Sequence, residues 1–122
     1  MKILSILGAR PQFIKASSVY RAIERKNNKL KKPIKEILIH TGQHFDKNMS
    51  EVFFKELQIK EPDYNLNISN LSHGEMTGAM ISKIEPILLK EKPDIVLIYG
   101  DTNSTLAGAI SASKLGIPIA HI

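Results

Sequence analysis

The chain has 122 residues, of which 43% are hydrophobic and 24% are charged, values that are ordinary for a globular domain with its own core. It contains no cysteine, which excludes disulfides and thiolate metal sites. No apolar run approaches the roughly 20 residues of a membrane span, and Met1 leads directly into a strand-like segment. We therefore expect a cytoplasmic domain that does not bind membranes.

The chain is basic, with 17 Lys and Arg residues against 12 Asp and Glu residues and a net charge of +5. Much of the excess falls in one short stretch: Arg25, Lys26, Lys29, Lys31, Lys32 and Lys35. Such clusters occur on nucleic-acid-binding surfaces, and they also occur where a helix ends in a solvated loop. This stretch has no aromatic residue on which a base would stack, so we favour the solvated loop and expect no nucleic-acid partner.

The first half of the chain predicts alternating strands and helices. A mostly apolar strand is predicted over residues 2–7, and Pro11 suits the first turn of the next helix because its missing N–H needs no partner there. The side of this helix that would cover a sheet carries Phe13, Ala16, Tyr20 and Ile23. A second strand is predicted over 36–40. Asp46 suits the N-cap of a helix whose apolar side carries Met49, Val52, Phe53 and Leu57.

The middle of the chain predicts one short strand and one long helix. Residues 64–66 are predicted as the strand. Ser72 and Glu75 have the spacing of a capping box, which predicts the start of the helix. Its apolar side would be formed by Met76, Ala79, Met80, Ile84, Ile87 and Leu88. We expect a kink at Pro86 and the end of the helix before Pro93.

The last part predicts an apolar strand over 94–99 and a helix from about residue 104 to 115, with Gly116 as its C-terminal stop. The face of this helix carries small residues that permit a close approach to a sheet: Ala107, Gly108, Ala109 and Ala112. Residues 117–122 read as a buried strand, and the sequence stops inside it. We therefore expect that the chain is a piece of a longer protein.

Strands that alternate with helices of about 10–18 residues are typical of a doubly wound α/β domain with a mostly parallel sheet. We expect one such domain over residues 1–122, with right-handed connections between parallel strands. Ligands bind such sheets at the carboxyl ends of the strands. Three strand-to-helix junctions at that edge carry polar side chains.

The first junction is Gly8-Ala9-Arg10-Pro11-Gln12. Gly8 permits a sharp turn, and the N–H groups and dipole of the new helix favour an anion. Arg10 adds a fork of donors suited to phosphate oxygens, and Lys15 adds a charge one turn further in. The pattern is neither a dinucleotide-binding nor a Walker motif. A tight turn followed by surface cations explains the same residues, and both interpretations stay open.

The second junction is Thr41-Gly42-Gln43-His44, where amide and imidazole groups suit the recognition of hydroxyls and amides. A hydrogen-bonded structural role is the alternative for His44. The four histidines lack the spacing of a zinc site, so we expect no metal. The third junction, Tyr99 to Thr105, places Asp101 after a buried strand. Asp101 is a candidate catalytic carboxylate, and capping of the following helix is its structural alternative.

Taken together, these junctions resemble the non-hydrolysing UDP-N-acetylglucosamine 2-epimerases. The matching segments are GARPQFIK (8–15), TGQHFD (41–46), HGEMTG (73–78) and GDTNSTLAG (100–108), and the resemblance covers essentially the whole chain. It implies a GT-B-type architecture, with an active site between two Rossmann-like domains. The chain would be most of the N-terminal domain. In the family, the strand matching 117–122 is followed by a Glu-Ala-Gly-Leu-Arg motif that carries an important acid.

The resemblance also implies roles. Arg10 and Lys15 would contact the diphosphate, Asp101 would be an active-site carboxylate, and Gln43 and His44 would contact the UDP-sugar. The family interconverts UDP-N-acetylglucosamine and UDP-N-acetylmannosamine by elimination and re-addition of UDP, without a cofactor and as homodimers. The alternatives are a related epimerase acting on a UDP-2,3-diacetamido uronic acid, a hydrolysing epimerase, a GT-B glycosyltransferase and a non-catalytic binding module.

Overall fold

The computed structural model describes residues 1–42 and 51–122. In that part the elements are, in chain order, β1 (Lys2–Leu7), α1 (Arg10–Asn27), β2 (Lys35–His40), α2 (Glu51–Glu56), β3 (Tyr64–Asn65), α3 (His73–Glu91), β4 (Ile95–Ile98), α4 (Asn103–Lys114) and β5 (Ile119–His121). The strands form one sheet in the order β3-β2-β1-β4-β5, and every pair is parallel. The predicted doubly wound α/β fold is confirmed.

Both faces of the sheet are covered because alternate residues of each strand point to opposite sides. Leu4 and Ile6 of β1 pack on the α3 and α4 side, whereas Leu7 packs on the α1 and α2 side. The central strands are buried on both faces, which is why they read as nearly continuous apolar runs. The core therefore consists of two layers, one on each side of the sheet.

Helix α1 covers its face with the predicted apolar stripe. Phe13, Ala16 and Ile23 are buried, and Tyr20 is partly buried. Two hydrogen bonds tether the far end of the helix to the loop before β2: Asn27 Nδ2 donates to the carbonyl of Ile34 at 2.8 Å, and the amide of Ile34 donates to Asn27 Oδ1 at 2.6 Å.

Helices α3 and α4 pack on the other face. Ser72 caps α3 and accepts a hydrogen bond from the backbone N–H of Glu75 at 3.3 Å, as the capping spacing predicted. The helix continues through Pro86 to Glu91. A Cβ on Gly108 of α4 would lie 2.9 Å from Ile6 Cδ1, so the small residue is what lets this helix approach β1 closely.

Two burial predictions are wrong. Residues 117–122 were expected to form a buried strand, but among the described residues β5 is an edge strand paired with β4, and Ile119 and Ile122 are 38% and 49% exposed. Val52 was expected on the apolar side of its helix and is 61% exposed, while its neighbour Phe54 is buried. The predicted cap at Asp46 and core position at Met49 lie outside the described residues.

The basic stretch lies at the edge of the sheet where β1 and β2 begin, opposite the edge where those strands end. Arg25 and Lys26 are in the last turn of α1, where cations complement the helix dipole, and the remaining lysines of the stretch are exposed in the loop and at the start of β2. Among the helices of the described ranges, none has the length and apolarity that crossing a membrane requires.

Candidate functional site

The strand order reverses direction between β1 and β4, and ligands of α/β sheets bind at the carboxyl edge beside such a switch point. Arg10 begins the helix that follows β1, and Asp101 lies in the turn that follows β4. Because β1 and β4 are hydrogen-bonded neighbours, the two loops lie side by side, and both residues are exposed. A cation and a carboxylate thus share one edge, as the sequence predicted.

The guanidinium of Arg10 lies over the ring of Phe53, with its central carbon 4.6 Å from the ring centroid. Phe53 itself is buried among aromatic side chains, including Phe54 at 5.4 Å between ring centroids. A cation over an aromatic face is attracted by the ring's quadrupole, so this contact helps to position the guanidinium. The first turn of α1 carries no acidic side chain, so nothing there opposes an incoming anion.

The residues on both sides of Asp101 are held by hydrogen bonds. The N–H of Gly100 donates to the carbonyl of Ile122 at 2.8 Å, and Nε2 of His121 donates to the carbonyl of Gly100 at 2.6 Å. On the other side, Thr102 caps α4: its hydroxyl accepts from the N–H of Thr105, and the Thr105 hydroxyl accepts from the N–H of Thr102.

The structural alternative for Asp101 is therefore wrong, because Thr102 and not Asp101 is the N-cap of α4. Within residues 1–42 and 51–122, the Asp101 carboxylate has no hydrogen-bond or ion-pair partner, and Asp101 is exposed at the carboxyl edge of the sheet. A carboxylate that serves neither the helix nor the core is available to a ligand.

Gln12 joins the two loops, a role that its sequence position alone does not predict. Its Oε1 accepts from the backbone N–H groups of Gly8 at 2.8 Å and Ala9 at 3.2 Å. Its Nε2 lies within hydrogen-bond distance of three oxygens: Tyr99 O at 2.6 Å, Thr102 Oγ1 at 3.1 Å and Thr105 Oγ1 at 3.4 Å. The contacts to Gly8 and Ala9 could be expected from sequence, because a Gln at the third residue of a helix often reaches back to the helix N-cap. No local sequence pattern predicts the hydrogen bond from Gln12 Nε2 to the Tyr99 carbonyl.

Gly8 is required for space, a reason that the sequence did not predict. It is absent from the residues with positive φ. A Cβ at this position would lie 2.1 Å from Ser104 Oγ and 2.6 Å from Thr41 Oγ1. The two hydroxyls hydrogen-bond to each other at 2.8 Å, so they bridge the ends of β2 and the start of α4 across the β1 loop.

The HGEMTG segment reaches the same edge. Nδ2 of Asn103 donates to Nδ1 of His73 at 2.9 Å, which joins the first residue of α3 to the first residue of α4. Since Nδ1 accepts, the imidazole proton lies on Nε2. His73 is exposed and adds a donor to the edge that carries Asp101, whereas from sequence only the resemblance of its segment singled it out.

Three predicted site residues remain: Lys15, Gln43 and His44. Lys15 is exposed on α1, five residues after Arg10, which is about 7.5 Å further from the edge at 1.5 Å per residue. Its side chain leans back towards the edge, because Cα–Cβ bonds tilt towards the helix N-terminus. Gln43 and His44 lie outside the described residues, so their predicted contacts stay predictions.

His40, at the end of β2, is buried against Phe13, with ring centroids 5.0 Å apart. Burial lowers the pKa of its imidazole, so the ring is neutral at pH 7. Within the described ranges, no group of three or more His, Cys, Asp or Glu side chains has the arrangement of a metal site.

Comparison with known proteins shows which proteins this chain is similar to. The family model described as UDP-N-acetylglucosamine 2-epimerase matches residues 26–122. The UDP-2,3-diacetamido-2,3-dideoxy-D-glucuronate 2-epimerase of Pseudomonas aeruginosa is 62% identical over 122 residues, which is the whole of this chain and 33% of that protein. The UDP-N-acetylglucosamine 2-epimerase of Methanocaldococcus jannaschii is 52% identical over 122 residues, 32% of its length.

Solved structures agree with these matches. The crystal structure of the Methanocaldococcus jannaschii enzyme in complex with UDP-GlcNAc and UDP superposes with a TM-score of 0.89, covering all of this chain and 32% of that one. The Neisseria meningitidis UDP-GlcNAc 2-epimerase bound to UDP-GlcNAc superposes with a TM-score of 0.85 at 35% identity, covering all of this chain and 31% of that one. The chain thus spans about a third of the length of these relatives.

Proposed function

Because this chain belongs to the UDP-N-acetylglucosamine 2-epimerase family, we propose that it forms one wall of an active site that inverts C2 of a UDP-2-acetamido sugar. The observation that carries the proposal is the placement of Arg10 and Asp101 after neighbouring strands at the switch point of the sheet. The full-length protein would have a second Rossmann-like domain that supplies the opposing wall. The 122-residue chain by itself is therefore expected to be inactive.

Inversion at C2 is chemically demanding because the C2 hydrogen has no adjacent carbonyl to stabilise a carbanion. Elimination avoids this problem. A base removes the C2 proton while the bond between C1 and the diphosphate oxygen breaks, which yields 2-acetamidoglucal and UDP. Re-addition returns a proton to the other face of C2 and re-forms the bond from C1 to UDP. No redox step is needed, so this route uses no redox cofactor.

The first demand of this route is stabilisation of the charge that builds on the departing diphosphate. Preorganised donors supply such stabilisation most effectively, because they need no reorientation as the bond breaks. Arg10 provides a bidentate donor held over Phe53 at 4.6 Å, and the N-terminus of α1 adds oriented N–H groups. Lys15 adds a further positive charge on the same helix.

The second demand is proton transfer at C2, for which general acid–base catalysis typically contributes 10²–10⁴-fold. Asp101 is an exposed carboxylate at this edge, and its neighbours are fixed by hydrogen bonds that leave its own oxygens unused within the described residues. We propose that Asp101 acts in the proton transfers, as the base or as the partner of an acid from beyond Ile122. Gln43 and His44 would contact the sugar nucleotide.

Two substrates are proposed. UDP-N-acetylglucosamine, converted to UDP-N-acetylmannosamine, is the substrate indicated by the family model and by the Methanocaldococcus jannaschii relative. A UDP-2,3-diacetamido uronic acid is the second candidate, and the 62% identity with the Pseudomonas aeruginosa enzyme favours it. The same elimination serves both, because they share the 2-acetamido group and the UDP leaving group. We propose a cytoplasmic homodimer in either case.

The test is incubation of the full-length protein with each UDP-sugar in D₂O, without an acceptor, followed by ¹H and ³¹P NMR. We expect the C2 epimer of one substrate, carrying solvent deuterium at C2. Epimer that retains its original hydrogen would contradict elimination. Turnover only after an acceptor is added would indicate a glycosyltransferase, and the absence of turnover with both sugars would contradict the proposed function.

A further inference from the structure

Gln12 is buried, 5% exposed, and its side-chain amide spans the gap between the loop that carries Arg10 and the loop that carries Asp101. We infer that Gln12 is a positioning residue that holds these two loops in the register required for the reaction. This inference rests on the proposed function and adds to it a residue that does not itself contact the substrate.

The contacts of Gln12 require both an acceptor and a donor on one side chain, which an amide supplies. On one side Oε1 meets two N–H donors, those of Gly8 and Ala9. On the other side Nε2 meets the carbonyl oxygen of Tyr99 at 2.6 Å. An apolar side chain of the same length would take this acceptor from the buried N–H groups of Gly8 and Ala9, and it would remove the link to the Tyr99 carbonyl. Buried groups that lose a hydrogen-bond partner are costly.

Each end of the bridge is anchored. Tyr99 is fully buried in the core layer under α1, and its carbonyl also accepts from the Thr105 hydroxyl at 2.5 Å. Thr105 in turn belongs to the cap of α4. The bridge therefore connects the first turn of α1 with the first turn of α4, and Arg10 and Asp101 each lie two residues from one of its ends.

The register of the two loops matters because the leaving group and the C2 proton are parts of one substrate. A displacement of about 1 Å in a catalytic group can lower a rate by about 10²-fold, even when substrate binding is largely kept. Loss of the bridge should therefore lower kcat more than it changes KM. A residue needed only for folding would lower the amount of active protein and leave the kcat of the folded fraction unchanged.

The chain offers a matched control in Asn27, at the opposite end of the same helix. Its amide also makes two hydrogen bonds to backbone, both to Ile34, at the edge where the strands begin. Gln12→Met and Asn27→Leu both replace an amide with an apolar group of similar size. Both variants should lower the melting temperature, but only the first breaks a link between the site loops.

The experiment compares these two variants in the full-length protein. We expect Gln12→Met to lower kcat by about 10- to 100-fold with KM within about threefold, and Asn27→Leu to keep kcat within about twofold. Hydrogen–deuterium exchange should increase in the peptide covering residues 99–105 for Gln12→Met and stay unchanged there for Asn27→Leu. Equal kcat in the two variants, or unchanged exchange in that peptide, would overturn the inference.

A second variant and a measurement that needs no turnover cover the cases in which Gln12→Met does not fold or the wild type is inactive. If Gln12→Met does not fold, Gln12→Asn retains the amide but is one methylene shorter, and the same losses are expected. If the wild-type protein epimerises neither UDP-sugar, the proposed function fails on its own. The exchange comparison still decides whether Gln12 couples the loops, because it needs no turnover.

Discussion

The hydroxyl oxygens of Thr41 and Ser104 lie 2.8 Å apart, and the backbone of Gly8 passes directly beneath their contact. The three strand-to-helix junctions that contain Gly8, Thr41 and Ser104 are therefore in direct contact, although they are distant in the chain. The contact is fully buried, since both Thr41 and Ser104 are 0% exposed. The edge of the sheet that carries the site is consequently a packed surface, and its spacing is fixed by small side chains.

The first prediction follows from this spacing. Gly8→Ala should destabilise the protein by about 1–3 kcal/mol, because the new Cβ would lie 2.1 Å from Ser104 Oγ and would force the hydroxyl contact apart. Gly78→Ala is the control, since a Cβ there meets nothing within 4 Å and alanine favours a helix by up to about 1 kcal/mol. Thermal and urea unfolding measure both. Equal stability of the two variants would contradict the packing described for Gly8.

Local sequence patterns at this edge predict the strands but not the contacts between distant residues. The strands were predictable because central strands of a parallel sheet are apolar throughout, and β1 was found over the predicted residues 2–7. The need for glycine at residue 8 was predictable, but its reason was not. A turn preference is local, whereas the clash with Ser104 depends on a residue 96 positions later that only the folded chain brings near.

The second prediction concerns Asp101. Asp101→Asn in the full-length protein should lower kcat by roughly 10²-fold or more, as expected for loss of a general acid or base. Stability should change little, because Thr102 and not Asp101 caps α4. Steady-state kinetics with the preferred UDP-sugar measure the effect.

Asp94→Asn is the matched control, because Asp94 stands at the opposite end of the same strand. There it accepts a hydrogen bond from the N–H of Lys2 at 2.7 Å, so its loss should affect stability and not turnover. If Asp101→Asn turns over as fast as Asp94→Asn, the carboxylate of Asp101 has no part in proton transfer.

The third prediction concerns the cation. Arg10→Ala should raise KM and lower kcat, because Arg10 is proposed to hold the diphosphate both before and during its departure. The cation–π contact with Phe53 itself contributes only about 0.5–1 kcal/mol to stability at an exposed site. Arg25→Ala removes an exposed arginine from the other end of the same helix and should leave kinetics unchanged. Unaltered KM and kcat in Arg10→Ala would make Arg10 a surface residue without a role in the reaction.

The fourth prediction concerns the pH dependence of stability. Glu36 is 5% exposed, and burial raises the pKa of its carboxyl above the ordinary value of 4.5, while the hydrogen bond from Ser5 at 2.8 Å opposes the shift. A raised folded pKa means that the folded state favours the protonated form. The stability that Glu36 contributes is therefore fully present below its unfolded pKa and is lost as pH rises through its folded pKa.

Glu36→Gln should accordingly be more stable than the wild type at pH 8 and lose this advantage towards pH 4. Melting temperatures across this range, compared with those of Glu61→Gln at an exposed position, separate burial from the change in net charge. An advantage of Glu36→Gln that is constant with pH would contradict the raised pKa.

The failures of sequence-based prediction have one physical origin. Residues 117–122 are apolar enough for a core strand, yet in the described part of the chain β5 has β4 as its one paired neighbour and is largely exposed, because burial depends on what packs against a strand. Likewise, Asp101 and Thr102 are both good caps, and the sequence could not show which one α4 uses. Gln12 was missed because its important partner, Tyr99, is 87 positions away.

The central claim is that one UDP-sugar is bound between Arg10 and Asp101. The most direct measurement is a crystal structure of the full-length protein with a bound UDP-sugar. The account predicts that Arg10 contacts the diphosphate and that the Asp101 carboxylate faces C2 of the sugar, with the Gln12 bridge intact. A UDP-sugar bound elsewhere, for instance at the basic edge around Lys29, or a diphosphate that does not contact Arg10, would contradict it.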